Sequence, residues 1–569
     1  SMVIETVGDL NGDGVNDLAI GQYFRQDYYI TTRVYVVFGQ QNGFTTPPNL
    51  TTLAPSEGFS IAVPARINAI ANAGDVNNDG VEDLIMGSVN ADDKKGHVYV
   101  IFGSASIADM DVADLDGTNG FTILGNNTTA GNFGIGDRIG NAVSGNGDVN
   151  NDGIDDLAFG GYAYLGFRGA SFVVFGQSTW PATLTAADVG SGNGFKVFGS
   201  LNNSVRSGAS VDIAGDFNGD GIEDLLIGEA NSFYGGERRG RVWIMLGAET
   251  GLDGTINIGT ATHIITPSAE NPQSRDRLSE HMTYIPDFNG DGINDVLIAA
   301  PTESSSNEAY VVVLFGGLQG TGNYNIDNLD GTNGFFIEHS NQERVGDVIS
   351  TGDFNGDGLS DVVVSNNYGT TSIVLGSADP MPPRIDLNNL EPGQGSTIYG
   401  QNVSLGSVSL KGDITGDGLD DFLISENRYG DVYLLFGQTA PEQPTAVNAI
   451  PAQKAIEGSL FSFTIPSGIF ASQDLNLTFS ITGENDGPLP AWLSYDMATK
   501  TLSGTPGNGD EGTVNLKVTA TDTQGNSAFT ALSISVFDEK AFPNGSTLAD
   551  LQDQVIRIDG TDGFFRFGY

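Results

Sequence analysis

Short apolar runs rich in Val, Ile, Phe and Tyr recur along residues 1–438, separated by stretches of Gly, Asp and Asn. They fall into sets of four in a fixed order. In the third set they are Asn141–Ser144, Asp156–Gly160, Ala170–Phe175 and Gly194–Gly199. The third member returns as Arg33–Phe38, His97–Phe102, Arg241–Leu246, Ala309–Phe315 and Asp431–Phe436. The fourth returns as Gly58–Val63, Gly120–Gly125, His263–Pro267, Gly334–His339 and Ser396–Gly400. Runs this short, with β-branched and aromatic content and turn residues between them, predict antiparallel four-stranded sheets. Radial repetition of such sheets is a β-propeller, which leaves only short, protected edges. The fold class is therefore all-β. No apolar run reaches the roughly 18 residues of a membrane helix, so no membrane insertion is expected.

Between the first and second members lies Asp9-Leu10-Asn11-Gly12-Asp13-Gly14-Val15-Asn16-Asp17, a D-x-N-x-D-G-x-x-D loop. Alternate positions offer oxygens to a hard cation such as Ca²⁺, which takes six to eight. The glycine permits the φ > 0 turn that folds the later ligands back. The loop follows the start of an EF-hand but closes on Asp at position nine rather than Glu at twelve. Its candidate ligands are Asp9, Asn11, Asp13, Val15 and Asp17. The next three copies give Asp75, Asn77, Asp79, Val81 and Asp83; Asp148, Asn150, Asp152, Ile154 and Asp156; and Asp216, Asn218, Asp220, Ile222 and Asp224. The last three give Asp287, Asn289, Asp291, Ile293 and Asp295; Asp353, Asn355, Asp357, Leu359 and Asp361; and Asp413, Thr415, Asp417, Leu419 and Asp421. The first aspartates lie 66, 73, 68, 71, 66 and 60 residues apart, a repeat architecture. About seven Ca²⁺ ions, mainly structural, are expected.

The formal net charge of −47 argues against nucleic acid as a partner. Seven Ca²⁺ would offset only part of it. With no cysteine, no disulfide can staple the chain. Calcium loops without disulfides suggest an exported, extracellular or cell-surface protein stiffened by calcium. The sequence opens at Ser1-Met2 inside a strand-like run, with no signal peptide. It is expected to be a monomeric module of a longer chain.

The stretch Gly215-Asp216-Phe217-Asn218-Gly219-Asp220-Gly221-Ile222-Glu223-Asp224-Leu225-Leu226-Ile227-Gly228 resembles the FG-GAP repeat of integrin α-subunit propellers and their bacterial relatives. The resemblance covers roughly 1–438. It implies a seven-bladed propeller with metal in the loop joining strands one and two. Thr415 stands for Asn in the last loop, and Pro286 for Gly before the fifth.

Residues 441–540 break the period. Pro441, Pro444, Pro451 and Pro466 open a segment without a metal loop, in which alternating strands surround Trp492. A β-sandwich of about 100 residues is expected, resembling the Ig-like and cadherin-like modules of bacterial surface adhesins. Asp474 and Asp522 could bind interdomain Ca²⁺, but solvated turn carboxylates are the expected reading. The tail then echoes the propeller: Ile558-Asp559-Gly560-Thr561-Asp562-Gly563-Phe564 matches Leu115–Phe121, which leads into a fourth strand. Residues 541–569 are therefore expected to close blade seven around an inserted sandwich. The competing reading starts a second propeller there.

The connections between strands two and three are aromatic. They offer Tyr23, Phe24, Arg25, Tyr28 and Tyr29; Tyr162, Tyr164, Phe167 and Arg168; Phe233, Tyr234, Arg238 and Arg239; and Tyr368, Arg428 and Tyr429. Tyr and Arg are favoured contact residues, so a glycan or a cell-surface or matrix protein is expected on this face, opposite the metal loops. An arginine also precedes strand one in most sets: Arg66, Arg138, Arg206, Arg277, Arg344 and, across the seam, Arg566, with Ser404 in the last. Such a ring could hold an anionic ligand, but pairing with carboxylates of adjacent blades is the expected arrangement. His97, His263, His281 and His339 are scattered, and no catalytic motif is present. An adhesion or recognition module, not an enzyme, is the expected function. A polysaccharide lyase or glycosidase, or a purely structural spacer, is the alternative.

Overall fold

The computed structural model describes residues 2–537 apart from 27–28, 42, 45–46, 127–135, 191, 201–204, 214, 235–236, 262, 268–276, 302–308, 318–321, 340–344, 367–368, 391–393, 400–404, 427–431, 438–443, 473–476, 484–486 and 523–525. Tyr28, Arg344, Tyr368, Ser404, Arg428, Tyr429, Asp474, Arg566 and the whole of 541–569 lie outside the described residues. So do the side chains of Arg25, Tyr29, Phe233, Tyr234 and Arg238. Two compact units form, Ser1–Ala440 and Pro441–Tyr569.

In the first unit the described residues make seven sheets of three to five strands and one small hairpin, Phe233–Tyr234 with Glu237–Arg238. The first strands of the sheets are Val3–Thr6, Ala69–Gly74, Ile139–Gly147, Ser207–Asp212, His281–Ile285, Val348–Gly352 and Leu405–Ser409. Each lies beside the next around a closed cycle, the last returning to the first. At that return, Thr6 N donates to Ser409 Oγ at 3.2 Å and Ser407 Oγ donates to the Met2 carbonyl at 3.2 Å. This is a β-propeller.

Sheet two shows the plan. Ala69–Gly74, Asp83–Ser88, His97–Ile101 and Gly120–Leu124 pair antiparallel in chain order. One feature differs from the four-stranded expectation. Thr183–Thr185, from the next set's connection between strands three and four, pairs parallel with Gly120–Leu124. Sheets one, three, four and five gain a fifth strand in the same way. A borrowed strand covers the row of N–H and C=O groups that an outer edge would otherwise present. Runs of two to four residues carry too little periodicity to be visible in the sequence.

The core lies between sheets. Phe121 of sheet two stacks on Trp180 from the next set, centroids 4.1 Å apart, and Phe159 stacks on Phe172 at 4.9 Å. Each fully buried ring contributes roughly 1.5–3 kcal/mol. Strand two also carries a glycine where the neighbouring sheet crosses closest. A Cβ on Gly160 would sit 1.8 Å from the Gly208 carbonyl oxygen, so no side chain fits there.

In the second unit, Gln453–Ile456, Ser527–Phe537, Gly512–Thr521 and Thr478–Gly483 form one sheet in that order. Phe461–Thr464, Thr501–Gly504 and Leu493–Asp496 form another. Leu502, Val518, Leu532 and Ile534 fill the space between them. Trp492 is a difference from expectation: it is only partly buried, packing edge-on to Phe461 at the rim. Small aliphatic residues suffice for this thin core. Asp522 accepts from the Asn526 N–H at 2.7 Å as a turn carboxylate, but it is buried rather than solvated as expected.

Candidate functional site

The seven aspartate loops fold alike. In the first, Asp9 Oδ1 accepts from the N–H groups of Gly12 and Asp13, and Oδ2 from Gly14. Asp13 Oδ1 accepts from Val15 N, which tightens the turn. The glycine at position six has φ near +90° in every copy, from 78° at Gly292 to 92° at Gly418. Asp17, at position nine, is fully buried and accepts from Leu10 N and Gly39 N. Its counterparts do the same, as Asp156 does with Val149 N and Gly176 N. Position nine thus ties the loop to the turn after strand three. That turn holds the Phe-Gly pair of the repeat.

Position eight does work that the sequence pattern did not reveal. Glu82 accepts from Asp9 N, Asp155 from Asp75 N, Glu223 from Asp148 N, Asn294 from Asp216 N, Ser360 from Asp287 N and Asp420 from Asp353 N. Asn16 accepts from Asp413 N and completes the circuit. Each loop is therefore stitched to its predecessor by a side-chain oxygen. Glu, Asp, Asn and Ser share only that oxygen, so no single residue type marks the position.

The loops fit a hard cation. The Oδ1 atoms of Asn11 and Asn77 are buried acceptors without a hydrogen-bond partner. Burial pushes the carboxyls of Asp17, Asp83 and Asp156 up to about 8, reinforced by the loop aspartates at positions one and five. A cation would offset that repulsion. Among the described residues no three carboxylate or imidazole groups already converge as a metal cluster. The aspartates at position one accept loop N–H groups on both oxygens, and the position-five carboxylates, such as Asp13 and Asp79, each accept one main-chain N–H on Oδ1. Thr415 replaces the amide in the seventh loop with a hydroxyl, which approaches Asp413 Oδ1 at 3.4 Å.

The opposite face collects the connections before strand one and after strand two. The Arg66 guanidinium carbon lies 4.9 Å from the Tyr23 ring centre. Arg138 donates to Tyr162 Oη, and Arg138 and Arg206 flank that ring at 5.5 and 5.8 Å. Pairing with carboxylates of adjacent blades is not seen among the described residues; Arg277 instead binds Glu280 at 2.9 Å within its own segment. Arg66, Arg138 and Arg206 meet tyrosines instead, because each points along the face toward the aromatic connection. Tyr164 and Arg168 also differ from expectation. Tyr164 is buried, edge-on to Phe172 and stacked on Phe198. Arg168 donates to the Gly199 carbonyl at 2.8 Å and covers Phe198. A tight turn at Leu165-Gly166, both with positive φ, turns Tyr164 inward.

A cavity of about 730 Å³ occupies the middle of the ring, walled by the first strands. Arg138, Arg206, Arg277, Tyr162 and Glu280 line it beside Glu5, Asp212 and Lys411. Burial raises Glu5 to about 7, while Lys411 and a hydrogen bond from Ser409 oppose the shift. Asp212 is spent on structure. Its oxygens accept from Ser144 Oγ at 2.6 Å, Thr283 Oγ1 at 2.8 Å and Tyr284 N at 3.0 Å, binding three sheets together.

The FG-GAP repeat family matches residues 5–37, 207–245, 285–315 and 345–378, and the family described as "Putative Ig domain" matches 443–537. Integrin alpha-PS3 of Drosophila melanogaster is 34% identical over 164 residues, 26% of this chain and 13% of that protein. Phosphatidylinositol-glycan-specific phospholipase D of Rattus norvegicus is 28% identical over 205 residues, 33% of this chain and 22% of that protein. The matched segment is thus under a quarter of either relative. A solved alpha-galactosidase from Bacteroides fragilis, itself described as putative, aligns over 17% of this chain and 18% of its own at 19% identity, with a TM-score of 0.14, and carries no argument. Loop geometry, ring and family matches agree: the chain carries FG-GAP repeats of the integrin α type on a β-propeller, followed by an Ig-like domain.

Proposed function

We propose that this protein is an extracellular adhesion or recognition module, loaded with calcium in its aspartate loops, that binds a glycan or protein ligand on the opposite face. The convergence of Arg66 on Tyr23, and of Arg138 and Arg206 on Tyr162, carries this reading. Arginine and tyrosine give large contact area at modest entropic cost. Similarity to an integrin alpha chain supports adhesion and an extracellular setting. In this reading calcium rigidifies the loops and so holds the seven sheets in register. A glycan and cell-surface binding screen, with and without EGTA and beside a thermal melt, tests it. Calcium-dependent binding lost in Tyr23→Ala and Tyr162→Ala, with the melt unchanged, is the expected result. Binding nowhere, with a large EGTA shift in the melt, would leave calcium as scaffold and overturn the recognition role.

A hydrolase reading draws on Glu5, whose raised pKa suits a proton donor, and on the similarity to a phospholipase D. It requires turnover of a polysaccharide or phospholipid panel that Glu5→Gln abolishes.

A further inference from the structure

The propeller protects its outer sheet edges, and the Ig-like unit leaves one of its own open. Five propeller sheets cover strand four with a borrowed strand. In the Ig-like unit the edge strands Gln453–Ile456, Phe461–Thr464 and Leu493–Asp496 are four residues long. Each is blunted further: Pro451 and Lys454 mark the first, Pro466 the second, and Pro490 and Asp496 the third. Short length, charge and proline are the usual protection of a sheet edge.

Thr478–Gly483 has none of these. This strand of six residues pairs antiparallel with Gly512–Thr521 in one unbroken register. Among the described residues no strand lies on its other side. From Leu475 to Gly483 the chain holds neither charge nor proline, and Thr, Phe and Ile favour extended backbone. Phe479 and Ile481 turn toward the core, while Thr478 and Ser480 are exposed. Lys500, from the turn that precedes Thr501–Gly504 in the facing sheet, lies over the Phe479 ring at 5.4 Å.

The strand is also complementary to itself. A two-fold axis at Ser480 sets that residue opposite its own copy and Phe479 opposite Ile481, with Thr478 in register with Thr482. Inward residues then meet inward ones, as a shared sheet requires. Hydroxyl pairs, and aromatic with β-branched pairs, are favourable across strands. An axis at Ile481 would put Phe479 against Gly483, which offers no side chain.

We propose that a second copy of this chain occupies this edge, joining two four-stranded sheets into one of eight strands. The contact is isologous, so it closes at a dimer. The charge of −47 makes two copies repel, and an uncharged strand is a place where they can still meet. Six residues span about 20 Å, which puts the interface at the small end, below about 1,200 Å². The dimer is therefore weak and favoured by high local concentration. It departs from the monomer expected of the sequence and stands independently of the ligand reading above.

The test uses the intact protein in calcium. Sedimentation velocity from micromolar to submillimolar protein should show monomer passing to dimer. Ser480→Lys sets two lysines opposite each other at an exposed position. It should weaken dimerisation at least tenfold with an unchanged melt. The chain has no cysteine, so single-cysteine variants read the register. Ser480→Cys should cross-link to its own copy under mild oxidation. Thr478→Cys should not, because its copy lies about 13 Å along the strand, yet it should cross-link to Thr482→Cys when the two are mixed. Monomer at every concentration, a dimer indifferent to Ser480→Lys, or equal self-cross-linking of Thr478→Cys and Ser480→Cys would each overturn the proposal.

Discussion

Asn16 and Asp413, 397 positions apart in the chain, exchange two hydrogen bonds: Asn16 N donates to the Asp413 carbonyl at 3.1 Å, and Asp413 N donates to Asn16 Oδ1 at 3.1 Å. This is the last link in the circuit of position-eight side chains. Asn16→Ala leaves a partly buried N–H without its acceptor. The expected cost is about 1–3 kcal/mol, read as a lower urea midpoint. Asn16→Asp restores an oxygen of the kind Asp155 and Asp420 supply, and should recover most of the loss. Equal destabilisation by both variants would mean the link is not the cause.

If calcium fills the loops as proposed, it stabilises the folded ring by mass action. A site filled at 100 times its Kd contributes about 2.7 kcal/mol, so several sites rival the typical 5–15 kcal/mol of a domain. EGTA should lower the propeller's melting transition by well over ten degrees. Asp148→Ala, which removes the acceptor of the Asp152 and Gly153 N–H groups as well, should cost one site and its turn. A melt indifferent to EGTA would place calcium outside these loops.

Glu5 gives a pH dependence of determinate sign. Burial in the channel wall raises its carboxyl from 4.5 to about 7 in the folded state. Between those values the folded protein holds a proton that the unfolded chain has lost, so this group's contribution falls as pH rises from about 4.5 to 7. Glu5 is part-exposed by surface area, which reduces the effect to the order of 1–2 kcal/mol. Glu5→Gln should therefore stabilise the protein at pH 7.5 and change little at pH 4.5. A variant equally stable with native at both would remove the buried charge as the cause.

Tyr164 separates a packing role from a binding role. Its ring lies against Phe172 and Phe198, so Tyr164→Ala should cost roughly 3–5 kcal/mol. Tyr164→Phe keeps the ring and should leave both stability and ligand binding near native. Loss of binding in Tyr164→Phe with an unchanged melt would return this residue to the ligand face.

Much of the architecture was written in local pattern. The period of the aspartate loops and the order of apolar runs specify sheets, loops and ring together, because each repeat states the same instruction. The loop's own hydrogen bonds follow from Asp at one and five and Gly at six. What stayed hidden depends on distant partners. The Tyr164 ring turns inward only because Leu165-Gly166 reverses the chain, and nothing in Tyr-Leu-Gly-Phe distinguishes it from half-buried Tyr162. The meeting of Arg138 and Arg206 with Tyr162 rather than with a described carboxylate is equally invisible, since abundance of acid along the chain says nothing about its direction in space.

Sheet seven offers the last prediction. In sheet two, Tyr99 and Phe102 are 3% and 7% exposed beneath the strand Gly120–Leu124. Their counterparts Tyr433 and Phe436 are each 50% exposed, and sheet seven has three described strands. Residues 541–569, proposed above to return to the propeller, carry the matching sequence Ile558–Phe564. In sheet two Tyr99 lies opposite Thr122, one residue after Phe121. By that register Tyr433 would face Phe565. Phe102 N donates to the Asn119 carbonyl, so Tyr99 and Thr122 fall in the narrow, non-hydrogen-bonded class that suits a disulfide. The chain has no cysteine to interfere. Tyr433→Cys with Phe565→Cys should therefore form an intramolecular disulfide under mild oxidation, detected as faster non-reducing electrophoretic migration. Tyr433→Cys with Phe564→Cys should not, because a one-residue slip puts the second thiol on the other face of the sheet. If neither pair closes, or only dimers form, the segment belongs to another propeller and the edge of sheet seven is filled from elsewhere.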